Sequence, residues 1–331
     1  MKFPPITRRA TLGLLAGGAA SLVAPARFAS AQTNSAVNFQ LSWLPSVQFG
    51  GSYLAEEIGV WAEKGLDVSL LSGGPNAPVE PSVMAGTSLL GITAADYASA
   101  AVAEGATFKI IAVAMQKNPF AIASLPGNPV NSPADLVGKK IGMAVANTPI
   151  LAALCALNDV DINEIEIVPT QYDPAPLVSG QVDCLLCWLT DLPIAMTMAG
   201  VDNVTMLLAD HGYAVHSQTY IVTEDALANQ RDEIVALMAG EIAGWNAYFA
   251  DTEAAADLVV AKFPDLGLDL ETQKVQAAKQ VDLMVSPLTE EFGFGWFTDE
   301  TVADNIATLG LLGREVSADL WDRSILEEIY G

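Results

Sequence analysis

From Val37 onward, short apolar runs alternate with stretches of helical period, and this alternation constrains the fold more than any other feature. Val37, Phe39, Leu41 and Trp43 alternate as a half-buried strand. Ser52 to Lys64 carries Leu54, Ile58 and Trp61 on one helical face, and Gly65 ends it. Leu66 to Leu71 reads as a second strand closed by Gly73-Gly74-Pro75. Leu89 to Thr93 reads as a third, followed by a helix over Ala94 to Ala103. Phe108 to Ala114 and Phe120 to Leu125 are extended runs. A second set begins after Pro126-Gly127: a short helix at Ser132-Pro133-Ala134-Asp135, a strand over Lys140 to Val145, and a helix opening at Asn147-Thr148-Pro149 with Thr148 as N-cap. Ile165 to Val168, Val182 to Trp188 and Val204 to Leu208 are further strands, Asp191 is placed to cap the helix after the second of these, and Thr219 to Thr223 is extended. From Glu224 to the end the chain reads as helical. The pattern predicts an α/β protein with parallel pairings.

Two extended crossings, near Met115–Leu125 and His216–Thr223, join the two α/β sets. They predict two lobes, a cleft between them, and a two-stranded hinge that lets the cleft close on a ligand.

The first 31 residues have the parts of a secretory signal. Lys2, Arg8 and Arg9 give a positive start, and Ala10 to Ala24 is apolar but shorter than the roughly 20 residues a membrane span needs. Ala29-Ser30-Ala31 is a small-x-small cleavage site. Thr7-Arg8-Arg9-Ala10-Thr11-Leu12 resembles a twin-arginine signal, with Thr11 where that signal usually has Phe. A mature chain beginning near Gln32 and residing in the periplasm is expected.

Removing Lys2, Arg8, Arg9 and Arg27 from the 15 basic residues leaves 11 against 39 acidic ones, a mature net charge of −28. Phosphate contacts need clustered Lys and Arg, so a nucleic-acid partner is excluded on electrostatic grounds. The three cysteines, Cys155, Cys184 and Cys187, are too few for a disulfide scaffold. Cys184 and Cys187 lie three apart on a predicted strand, which points them to opposite faces with Cα atoms about 10 Å apart, beyond disulfide reach. His211 and His216 form no metal-ligand pair, so no metal is expected.

Leu41-Ser-Trp-Leu-Pro45, Gln48-Phe-Gly-Gly-Ser-Tyr53, Gly65-Leu-Asp-Val68 and Gly73-Gly-Pro-Asn76 resemble the opening of a substrate-binding protein of an ABC importer. The likeness is to the branch that binds thiamine pyrimidine precursors, riboflavin and alkanesulfonates. Asp135-Leu-Val-Gly-Lys-Lys-Ile-Gly142, Gly180-Gln-Val-Asp183 and Trp188-Leu-Thr-Asp-Leu-Pro193 continue it. The resemblance implies a two-lobed periplasmic-binding-protein fold of the second type. Lobe one would hold residues 36–122 plus 218–331, lobe two 123–217, with the ligand at the carboxyl ends of the strands. It also implies a monomer without cofactor that hands a small molecule to a membrane permease and its ATPase. The family includes a thiamine-pyrimidine synthase that holds pyridoxal phosphate on a lysine and consumes one of its own histidines. Thr93 and Tyr97 of Gly91-Ile-Thr-Ala-Ala-Asp-Tyr97 stand at those positions, and without a lysine amine there is no Schiff base. No enzyme is expected.

The candidate site follows from the strand ends. Trp43 and Tyr53 would offer rings to a flat heterocycle, and Trp188 would close on its other face. Gln48, Asn76, Asn147, Thr148, Asp96 and Asp191 sit in post-strand segments. The amides among them both donate and accept, as the edge of a pyrimidine or isoalloxazine requires. The mature cations lie away from these positions, apart from Lys117 near the first crossing. That favours riboflavin or a thiamine pyrimidine precursor over a sulfonate of the taurine type, which invites an Arg fork. Trp61, Trp245, Trp296 and Trp321 are expected in packing.

Overall fold

The computed structural model describes residues 34–74 and 77–331; the signal-like segment and Asn76 lie outside them. Ten strands form two sheets. They are β1 (Ser35–Gln40), β2 (Leu66–Leu71), β3 (Leu90–Thr93), β4 (Phe108–Met115), β5 (Phe120–Ser124), β6 (Lys140–Met143), β7 (Glu166–Pro169), β8 (Cys184–Trp188), β9 (Val204–Leu207) and β10 (Ser217–Thr223). The first sheet has the order β2-β1-β3-β10-β4 and the second β7-β6-β8-β5-β9. The chain leaves the first sheet between Met115 and Phe120 and returns between Leu207 and Ser217. A division at 122/123 would fall inside β5, which pairs with β8 and β9, so the change of sheet comes a few residues earlier than the sequence indicates.

The sheets are mixed: the expected parallel pairings are present, and antiparallel ones join them. β1 runs parallel to β2 and β3, and β6 parallel to β7 and β8. β10 is antiparallel to β3 and β4, and β5 is antiparallel to β8 and β9. The reason is topological. β4 leaves the first sheet at its carboxyl end, so β5 enters the second sheet from that same edge and runs away from it. β10 returns in the same way, amino end first, and runs against its neighbours.

Helix Gly50–Glu57 packs on helix Arg231–Ala250 at unusually short range. A Cβ on Gly51 would stand 2.2 Å from the Trp245 ring, and one on Gly244 would stand 2.1 Å from the Gly51 carbonyl oxygen. The Gly-Gly of Gln48-Phe-Gly-Gly-Ser-Tyr53 is therefore a packing device of the first lobe. Trp61 and Trp245 are buried, as expected. The single predicted helix over Ser52 to Lys64 is two short helices, Gly50–Glu57 and Val60–Glu63, broken at Gly59 with φ 74°.

Under this contact lies Glu241, fully buried. Its Oε1 accepts from Ser52 Oγ at 2.6 Å, Tyr220 Oη at 2.9 Å and Trp245 Nε1 at 2.9 Å, while Oε2 has no partner. Burial pushes the carboxyl up to about 7 from an ordinary 4.5, and the three donors only partly offset that. His216 titrates the other way. Burial holds its imidazole down at about 4, and its neutral Nδ1 accepts from Trp321 Nε1 at 3.2 Å.

A carboxyl whose pKa is raised on folding stabilises most when protonated. Glu241's contribution is full below pH 4.5 and is lost as pH rises through 7, where burying the anion costs on the order of 3 kcal/mol. His216's contribution is present above 6.5 and lost as pH falls toward 4. The difference between Glu241→Gln and wild type isolates the first. We expect the variant's melting temperature to gain several degrees on wild type between pH 5 and pH 8; a pH-independent difference would show that Glu241 stays ionised throughout.

Candidate functional site

The carboxyl ends of the parallel strands in both sheets meet the two crossings, and the sequence places its chemistry there. Trp43 follows β1 in a bend and is 42% exposed. Thr93 ends β3 and donates its hydroxyl to Glu80. Asp96 and Tyr97 open helix Ala95–Ala103, and Tyr97 is 62% exposed. From the second sheet come Asn147 after β6, Tyr172 after β7 with 59% exposure, Trp188 at the end of β8, and Asp191.

Electrostatic neighbours show that the two halves converge. Desolvation raises the Tyr97 phenol, and the charges of Asp96, Tyr172 and Glu80 raise it further. Tyr213, buried beside the second crossing, is raised by burial and then by Asp96 and Tyr97. Tyr172 belongs to the second half and Tyr97 to the first, so the two exposed phenols stand near one another across the gap. Desolvation also holds the carboxyls of Asp96 and Asp191 above the usual carboxylate range, although both keep contact with solvent. Open but poorly hydrated is the signature of a concave site.

The expected residues divide. Trp43 is exposed at the edge, and Trp188, half-buried, sets its ring edge-on to Phe120 at 6.1 Å. Asn147 is buried with no partner for its Nδ2. Asp191 stands at the start of helix Leu192–Met198 but makes no side-chain cap, so its carboxylate is not spent on its own helix. Gln48 is half-buried in a 3-10 turn, its backbone N–H donating to Ser46 Oγ. Thr148 is the first residue of its helix and donates to the Val145 carbonyl at 2.7 Å, so it is not the N-cap. Tyr53 is a correction. It is buried in lobe one, edge-on to Phe263 at 5.0 Å, because the Gly51–Gly244 contact turns its helix face into the core. Asn76 lies outside the described residues.

Other residues at this edge escaped the sequence reading. Tyr172 follows a strand at the same level as Asn147 and Asp191, and its place after the Glu-Ile-Val-Pro run was the available signal. Arg314, exposed on the loop after helix Asp299–Leu311, lies close enough to Asp96 to draw its carboxyl down. Lys117 does lie beside the first crossing, where it is tied to Asp210 at 2.8 Å. Gln218 and Thr219 open β10 at this same edge, where Thr219 pairs with Thr93 and Ser217 with Met115. Both are buried, and neither side chain has a hydrogen-bond partner. The sequence carries no signal for them, since a strand start looks the same whether or not its side chains are satisfied.

Two pockets stand out among the described residues. One of about 360 Å³ sits among the C-terminal helices around Phe297, Trp321 and Arg323. The other, of about 190 Å³, sits beside the crossings between Gln116, His216 and Trp296.

A protein-family model described as NMT1/THI5 like matches residues 46–255. The riboflavin-binding protein RibY of Chloroflexus aurantiacus is 25% identical over 287 residues, covering 84% of this chain and 81% of that protein. A formylaminopyrimidine-binding protein of Halalkalibacterium halodurans is 24% identical over 222 residues, covering 63% and 67%. The periplasmic aliphatic sulphonate binding protein SsuA of Escherichia coli has the same fold, with a TM-score of 0.66 at 16% identity over 84% of this chain and 92% of that one.

The cysteines stand outside this chemistry. All three are free and buried. Burial pushes the Cys155 thiol up to about 11 and Cys184 to about 12, and Cys187 higher still. The thiolate is the reactive form. We expect a chromogenic disulfide reagent to titrate none of them in the native protein and all of them after unfolding; rapid native labelling of Cys184 or Cys187 would reopen a redox role.

Proposed function

Because the chain belongs to the NMT1/THI5-like family, we propose that it is the extracytoplasmic solute-binding component of an ABC importer and that it captures a small, uncharged aromatic heterocycle between its lobes. The observation that carries this reading is the row of aromatic side chains left open at the strand ends of both halves: Trp43 and Tyr97 from the first, Tyr172 and Trp188 from the second. Rings exposed singly are ordinary, but rings gathered along one edge mark a surface for a ligand to cover, and a flat ligand gains about 0.5–1.5 kcal/mol per stacked pair beyond area burial.

Charge points the same way. Among the described residues, eight of the eleven mature cations are held by carboxylates: Lys109, Lys117, Lys140, Arg231, Lys262, Lys274, Lys279 and Arg323. Arg314 alone approaches the cleft, against Glu80, Asp96 and Asp191. A sulfonate would meet more repulsion than attraction there. The two curated relatives bind a flavin and a pyrimidine by name, which favours riboflavin or a thiamine pyrimidine precursor.

In this reading residues 1–31 are an export signal, the mature protein is a periplasmic monomer, and the permease and ATPase receive the ligand. The lobes are residues 34–115 plus 217–331 and residues 120–211, joined by the two crossings. The protein is not an enzyme of the pyridoxal type: Thr93 offers no amine, and its hydroxyl is already committed to Glu80.

Thermal unfolding of residues 32–331 with riboflavin, formylaminopyrimidine, hydroxymethylpyrimidine and taurine tests the reading. A ligand at 100 times its Kd adds about 2.7 kcal/mol, a rise of a few degrees for a chain of this size. We expect the shift with a flavin or pyrimidine and none with taurine; a shift with taurine alone would replace the heterocycle by a sulfonate. Trp43→Ala should abolish the shift while leaving the unliganded melting temperature unchanged, because Trp43 is half out of the protein. Unaltered affinity in that variant would remove Trp43 from the site.

A further inference from the structure

Gln218 combines two features that folded proteins avoid. It is 2% exposed with neither its amide nitrogen nor its amide oxygen partnered. It also has φ 48°, in the left-handed region, which only one other non-glycine residue of the described chain, Asp159, adopts. A buried donor or acceptor left unmade costs about 1–3 kcal/mol, and the left-handed backbone adds to that. Strain and unsatisfied polarity at one residue concentrate at functional sites.

Its place in the fold says which function. Gln218 stands between Ser217, which pairs with Met115 at the end of β4, and Thr219, which pairs with Thr93 at the end of β3. One residue earlier, the His216 carbonyl accepts from the Ala95 N–H at the start of the helix that carries Asp96 and Tyr97. Gln218 thus stands on the strand where both crossings reach the first sheet, next to His216 and Met115, which line the pocket beside the crossings. The Thr219 hydroxyl beside it is also buried and unpartnered.

We propose that Gln218 reads the edge of the bound heterocycle, pairing through its amide with a hydrogen-bond donor and an acceptor carried side by side on the ligand ring. This rests on the heterocycle reading above and narrows it. A carboxamide presents one acceptor and one donor in a plane, the geometry by which Gln reads an adenine edge. Lactam and aminopyrimidine edges carry the matching pair, whereas a sulfonate offers acceptors only. In this proposal the strained, unpartnered amide is held for the ligand, which satisfies both of its ends.

The test separates Gln218's role from the identity of the ligand. Gln218→Leu removes the amide, and Gln218→Gly removes it and relieves the backbone as well. Both are made in residues 32–331 and compared with wild type by thermal unfolding without ligand and by titration with riboflavin and with formylaminopyrimidine. We expect Gln218→Gly to melt at or above the wild-type temperature. We expect both variants to lose at least about tenfold in affinity for the compound that wild type binds. A clear fall in the melting temperature of Gln218→Gly would mean the amide is satisfied within the protein, and would overturn the proposal. Unchanged affinity would overturn it equally. Should wild type bind neither compound, the heterocycle reading falls, and the unliganded melting comparison still decides whether this amide is held in reserve for a ligand.

Discussion

The antiparallel entry of β10 between β3 and β4 is the pairing on which the rest of the molecule depends. It returns the chain from the second sheet to the middle of the first, so the C-terminal helices finish the first lobe rather than starting a third body. It brings the second crossing beside the first, with Ser217 paired to Met115 where the chain leaves and re-enters the sheet. It also carries Tyr220 under the sheet to Glu241 and Trp245, anchoring the return in the contact made by the glycine-lined helices. A loss of this pairing would separate the lobes and unroof the core together.

The same geometry explains why the site lies where it does. Parallel strands run toward the crossings in both sheets, so every post-strand loop opens on one gap. Strand ends supply short, positionable segments, and a long, rigid core behind them holds each side chain. The aromatic rings come from such segments in both halves, and neither half alone has two walls. In the proposed reading binding and closure are one event: a ring stacked on Trp43 or Tyr97 has its second face open until the other lobe arrives.

Much of this was legible in the sequence. Period-2 and period-3.6 patterns placed the strands and helices, and the two extended crossings disclosed the lobes. Trp43, Asp96, Asn147, Trp188 and Asp191 all lie at strand ends, as their positions indicated. What escaped was set by tertiary contact. Tyr53 turns inward because Gly51 meets Gly244 almost 200 residues away, and helical periodicity alone does not reveal which face such a contact selects. Which strands run antiparallel was not legible for a related reason: an apolar run looks the same in both orientations, and only the crossings decide it. Gln218 was invisible, because an unsatisfied amide is a property of its surroundings.

Electrostatics gives the gap its selectivity. The mature chain is strongly acidic, and its cations are mostly occupied by carboxylates on the outer surface, where such pairs contribute little to stability. Their effect is by omission: few positive groups remain to draw an anion inward. At these strand ends burial reduces the hydration of Asp96 and Asp191, and charge is felt there over longer distances than in bulk water. An incoming anion would lose hydration and gain repulsion, with Arg314 as a counterweight. A neutral ring bearing N–H groups loses little on entry and finds carboxylates and carboxamides to receive its donors. In the proposed reading the acidic surface and the aromatic walls select for the same chemistry, one by excluding anions and the other by rewarding flatness.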